Sequence, residues 1–95
     1  MMSPLNILLA DDEDIIHETI GGHLTESGHS VKDVFDGLAA FRAIKEGEYD
    51  LALIDLQMPG MDGLSLLAKV QEICPELSVA IITGYGTMDV AIQAL

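Results

Sequence analysis

Four short apolar runs, each separated from the next by enough chain for a helix, constrain this sequence most. They are "LNILLA" (5–10), "SVKDVF" (30–35), "LALID" (51–55) and "SVAIIT" (78–83). The first, third and fourth are almost continuously apolar, the pattern of strands buried on both faces. "SVKDVF" mixes Val31 and Val34 with charge and reads as a strand nearer an edge. Between the runs the period changes. From Asp12 to Ser27, Ile16, Ile20 and Leu24 recur at helical spacing, and Gly28 is placed to end that helix. Gly37–Glu46 reads as a short helix with Leu38, Phe41 and Ile44 inward, closed by Gly47. Asp62 is placed to N-cap a helix running to about Cys74, with Pro75 as its stop. After the "GYG" turn, "TMDVAIQAL" (87–95) is predicted to begin another helix, its apolar stripe an unfinished piece of core.

Strands alternating with helices at this spacing form a parallel sheet with right-handed crossovers and helices on both faces. Ligands of such sheets sit at the carboxyl ends of the strands. That rule gathers residues far apart in sequence. The first strand ends in Asp11, Asp12 and Glu13, the third in Asp55 and the fourth in Thr83. A strand that buries Leu51, Leu53 and Ile54 has no packing use for a carboxylate at its tip.

Carboxylates brought together in this way need a counter-charge. Two unit charges ~4 Å apart repel by about 4 kcal/mol at an effective dielectric near 20. Oxygen ligands with room for water suit Mg²⁺ or Mn²⁺, and no thiolate or paired-His spacing points to zinc. An acidic first turn also stabilises a helix N-terminus through the macrodipole, which explains "DDED" without any ligand. Asp55 at a buried strand end has no such explanation.

Composition narrows the partners. The 95 residues carry a net charge of −12 with only four Lys and Arg. This argues against direct binding to nucleic acid or an anionic membrane, and favours cations or basic protein surfaces. The apolar run near the N-terminus is too short for a signal peptide or a membrane span. The single Cys74 excludes an internal disulfide and fits a reducing compartment, so a cytoplasmic location is expected. With no His or Asn arrangement beside it, Cys74 reads as a packed or idle thiol. His17, His23 and His29 do not share a helical face and read as solvated surface.

"LLADDED", "LALIDLQMPGMDG" and "AIITGYG" together resemble the receiver domain of bacterial two-component response regulators, from Leu5 to Leu95. "ITGYGTMDVAIQAL" looks most like receivers attached to AAA+ transcription activators. The resemblance implies a flavodoxin-like doubly wound sheet. It implies that Asp55 accepts a phosphoryl group from the phosphohistidine of a sensor histidine kinase or phosphotransfer protein. It further implies that Asp12 binds Mg²⁺ directly and Asp11 through water, with the Gln57 backbone carbonyl as a third contact, and that Thr83 is the switch hydroxyl. Met58-Pro59 shapes the loop, and Gly63 permits a tight helix entry.

The chain departs from the family pattern in one respect. A complete receiver continues through a fourth helix, a fifth strand ending in Lys, and a fifth helix. None of Lys32, Lys45 and Lys69 falls where that Lys belongs. Residues 1–95 are therefore expected to be one incomplete receiver domain with strand order 2-1-3-4, ending within the fourth helix. In that arrangement "SVAIIT" forms an open apolar edge, a template for pairing, and a homodimer is expected to cover it. Three function classes stand: a phosphoacceptor signalling domain rather than an enzyme, a Mg²⁺-dependent phosphohydrolase with an aspartyl-phosphate intermediate, and a phosphorylation-independent interaction module. Gln57 occupies the position where such hydrolases commonly carry a second acid.

Overall fold

The apolar runs become the strands of one sheet, and the order of those strands places the acidic residues. The computed structural model describes residues 3–58, 63–84 and 88–93. The strands are β1 (Asn6–Ala10), β2 (Ser30–Val34), β3 (Leu51–Asp55), β4 (Ser78–Gly84) and β5 (Met88–Gln93), in the order β2-β1-β3-β4-β5. The first four pair in parallel, as expected for a 2-1-3-4 sheet.

β1 and β2 are bridged by a continuous helical rod. It runs through α1 (Asp14–Ile16), a π-helical stretch (His17–Gly21) and α2 (Gly22–Glu26). Gly28 ends it in the left-handed region at φ 99°, and the amides of Gly28 and His29 close on the carbonyls of Thr25 and Leu24. This is the glycine-terminated helix end that the sequence suggests. α3 (Gly37–Glu46) is capped by Asp36, whose carboxylate accepts from the Ala39 amide at 2.7 Å. α4 is Gly63–Ile73.

The alternation of side chains along each strand divides the core between the two sheet faces. Leu8, Ala10, Ala52, Ile54, Val79 and Ile81 join Ala40 and Ile44 of α3 and Leu66 and Val70 of α4 in one buried cluster. Ile7, Leu9, Ala80 and Ile82 are buried too. Leu9 reaches Gly21 of the rod, where an added Cβ would lie 3.3 Å from its Cδ2. Each fully buried Leu or Ile contributes about 1.5–3 kcal/mol of hydrophobic stabilisation, so β1 and β3, buried almost end to end, anchor the sheet. In α3 the buried positions are Gly37, Ala40 and Ile44, with Leu38 43% exposed. The inward assignment of Leu38 is thereby corrected: small residues let α3 sit close to the sheet, which turns Leu38 outward.

Residues 88–93 form a strand antiparallel to β4, with Gly84 opposite Met88 and Val79 opposite Gln93, where a helix over 87–95 was expected. Met88, Val90 and Ile92 also alternate at a period of two, and Val and Ile favour strands. The unpaired amides and carbonyls on the free side of β4 supply the deciding partner. Residues 88–93 are therefore a strand rather than the start of a fourth helix, and they add a fifth, antiparallel strand to the sheet. β4 is not an open edge, which removes the premise on which a homodimer was expected.

Candidate functional site

Strand register brings the acids together. Ala10 of β1 pairs with Ile54 of β3, so Asp11 and Asp55 follow one step later on neighbouring strands, about 4.8 Å apart in such a ladder. Asp55 pairs with Ile82 of β4, which places the Thr83 backbone one residue further along the adjacent strand. The Thr83 side chain lies outside the described part of the molecule, as do Pro59 and Asp62.

One carboxylate oxygen from each of Asp11, Asp12 and Asp55 can be chosen so that all three lie within 4.8 Å of one another. Asp11 and Asp55 are 3% and 6% exposed, the two buried charged residues of the described core, whereas Asp12 is exposed. An all-oxygen donor set of this charge, with one member open to water, fits a hard divalent cation such as Mg²⁺ or Mn²⁺.

Backbone amides orient the two buried carboxylates. The Glu13 amide donates to Asp11 Oδ1 at 2.9 Å, and the Gln57 amide donates to Asp55 Oδ1 at 3.3 Å. Both acids are nevertheless pushed above the ordinary carboxylate range. For Asp11 the cause is first burial, then repulsion from Asp55, Asp12 and Glu13, against which the Glu13 amide pulls downward. For Asp55 it is again burial first, opposed by the Gln57 amide and reinforced by Asp12. Desolvated carboxylates that also repel one another favour protonation or a cation.

The turn after β3 is closed by a glycine that has no room for a side chain. A Cβ on Gly63 would lie 2.6 Å from the Leu56 Cα and 2.7 Å from the Asp55 carbonyl oxygen. The Gly63 amide donates to the Leu56 carbonyl at 3.0 Å. The start of α4 is thus pressed against the backbone that carries Asp55, which is the tight entry expected of Gly63. Met58, in the same loop, is buried.

Two histidines depart from the expected solvated surface. The His29 Nδ1 accepts from the Leu5 amide at 3.0 Å. His17 is held on both ring nitrogens, by the Asp11 carbonyl at 2.8 Å and the Asp33 carboxylate at 2.6 Å. Burial works against its charged form, but these two bonds and the negative charge of Asp33 and Asp11 together outweigh it and raise the ring above its ordinary value. Their partners come from the ends of β1 and β2, so no helical periodicity reports them. His23 is exposed as expected.

The family model described as the response regulator receiver domain matches residues 7–95. Transcriptional regulatory protein GlrR of Escherichia coli (strain K12) is 34% identical over 91 residues, which are 96% of this chain and 20% of GlrR. The chain spans about a fifth of the length of the curated relatives it matches. Among solved structures, NtrX from Brucella abortus superposes with a TM-score of 0.81 at 35% identity, covering 88% of this chain and 19% of NtrX. Response regulator TrrA from Thermotoga maritima, in complex with Mg(2+)-BeF, gives a TM-score of 0.80 at 30% identity, covering 85% of this chain and 70% of TrrA.

Proposed function

The chain belongs to the response regulator receiver domain family, and on that basis we propose that it is a phosphoacceptor signalling domain in which Asp55 takes a phosphoryl group from a phosphohistidine. The observation that carries this reading is the buried Asp55 carboxylate at the end of β3, gathered with Asp11 and Asp12 within 4.8 Å. The Asp55 oxygen forms the new O–P bond as the N–P bond of the phosphohistidine breaks and the imidazole keeps the electron pair. Such transfers depend on positioning and charge compensation more than on covalent help from the protein. The Gln57 amide orients Asp55 and opposes the rise that burial imposes on its carboxyl, helping to keep it as the anion that reacts.

Asp11, Asp12, Asp55 and the Gln57 carbonyl would hold Mg²⁺, which supplies compensation for the charge of the carboxylates and the incoming phosphoryl oxygens. The Mg(2+)-BeF complex of TrrA supports this assignment. Thr83, one residue beyond the register partner of Asp55, is the hydroxyl assigned to meet the phosphoryl group. The donor is the phosphohistidine of a sensor kinase or phosphotransfer protein in the cytoplasm. The output is control of transcription through an activator of the AAA+ type, in keeping with the transcriptional regulators among the relatives. Among the described residues no helix is long and apolar enough to cross a membrane.

Intact-mass spectrometry after incubation with acetyl phosphate and Mg²⁺ tests the proposal. One added phosphoryl group in the wild-type chain, lost in Asp55→Asn, is the expected result. Unchanged labelling of Asp55→Asn overturns the assignment.

A further inference from the structure

His17 opens the π-helical stretch of the rod, yet its contacts lie outside the rod. Its side chain is 7% exposed, and its ring stacks on Phe35 with centroids 4.1 Å apart and planes tilted by 34°. A carbonyl oxygen only accepts, so Nε2–H donates to the Asp11 carbonyl at 2.8 Å, while Nδ1 lies 2.6 Å from the Asp33 carboxylate. π-Helical turns interrupt a rod's regular hydrogen bonding and recur at functional sites.

The Asp11 carbonyl belongs to the peptide that joins Asp11 to Asp12. That peptide is planar, so an anchor on its oxygen limits rotation about both flanking bonds. On the other side of Asp11, the backbone is tied by its amide to the Val34 carbonyl at 3.2 Å, and its carboxylate receives the Glu13 amide. The orientation of the Asp11–Asp12 peptide decides where the exposed Asp12 carboxylate stands relative to the two buried ones.

We propose that His17 is a positioning residue for the acidic trio: braced by Asp33 and Phe35, it clamps the Asp11–Asp12 peptide and so sets the affinity for a divalent cation. This rests on reading the trio as a cation site. Residues that orient metal ligands from outside the coordination sphere change affinity without touching the ion.

The test uses the full chain. His17→Phe keeps an aromatic ring against Phe35 and removes both ring nitrogens, whereas His17→Arg restores N–H donors toward a carbonyl and a carboxylate. Calorimetric Mg²⁺ titration should show binding weakened about tenfold in His17→Phe and recovered toward wild type in His17→Arg. In metal-free protein, the Glu13 amide should exchange with solvent faster in His17→Phe than in wild type. A folded His17→Phe with wild-type Mg²⁺ affinity and unchanged Glu13 exchange overturns the proposal, even if its urea midpoint falls, since that pattern marks a stabilising role alone. Should wild type bind no Mg²⁺, the cation reading fails, while Glu13 exchange still decides whether His17 positions the loop. If His17→Phe does not fold, Asp33→Asn decides: it keeps the ring and weakens one brace, so reduced Mg²⁺ affinity supports the clamp and unchanged affinity refutes it.

Discussion

Gly63→Ala and Gly22→Ala make the same chemical change in two helices and should have opposite effects. In a helix interior, replacing Gly by Ala gains up to about 1 kcal/mol, because Gly loses more backbone freedom on folding. Gly22 begins α2 with helical angles of φ −62° and ψ −42°, and an added Cβ meets nothing within 4 Å. Most of the gain should therefore appear there. At Gly63 the same methyl group would sit 2.6 Å from the Leu56 Cα and 2.7 Å from the Asp55 carbonyl oxygen. Favourable carbon–carbon contacts lie at about 3.5–4.0 Å, so the overlap approaches ~1 Å, and the atoms met are backbone that cannot rotate away. Overpacking of this kind costs about 1–3 kcal/mol, and the propensity gain is smaller at a first helical position than inside a helix. A net loss of about 1–3 kcal/mol follows, a large share of the ~5–15 kcal/mol that holds a domain together. Urea unfolding followed by circular dichroism measures it. With a slope of about 2 kcal/mol per molar for a small domain, the midpoint of Gly63→Ala should fall by roughly 0.5–1.5 M. That of Gly22→Ala should rise by roughly 0.5 M or less. Because the displaced backbone carries Asp55, Mg²⁺ binding should weaken in Gly63→Ala even under conditions where it is folded. If both variants shift the midpoint in the same direction, the close approach at Gly63 is not what governs that position.

Two further outcomes follow from the geometry. Asp11 and Asp55 are raised above the ordinary value of 3.8 in the folded state, so the metal-free protein binds more protons folded than unfolded. Stability from these groups is fully present below that value and lost as pH rises through the raised ones. Thermal unfolding in chelator should show this decline, and Asp12→Asn, by removing one repelling charge, should reduce it; stability that climbs over the same range would contradict the repulsion. In β5, Val90→Pro deletes a backbone donor from the strand paired with β4. It should reopen the β4 edge and promote self-association in sedimentation equilibrium, and an unchanged monomer–oligomer distribution would show that β5 does not guard that edge.

Much of the candidate site is legible from local chemistry. Apolar runs of strand length separated by helical periods specify a parallel sheet, and a parallel sheet delivers every strand's carboxyl end to one side. Asp11, Asp12 and Asp55 could therefore be gathered from sequence alone, and Gly63 could be read as a tight entry from its place behind the loop. The remainder depended on neighbours that no local pattern names. Residues 88–93 satisfy a helical stripe and a strand alternation about equally well. Pairing with the free backbone groups of β4 selects the strand. His17 looks like one more surface histidine until the ends of β1 and β2 bring it the Asp11 carbonyl and Asp33. Leu38 fits an inward helical stripe until α3 approaches the sheet through Gly37 and Ala40. Periodicity records which residues can share a face within one element. Which element supplies a backbone partner, an acceptor for a ring nitrogen, or a surface near enough to exclude a leucine is decided only when the chain packs on itself.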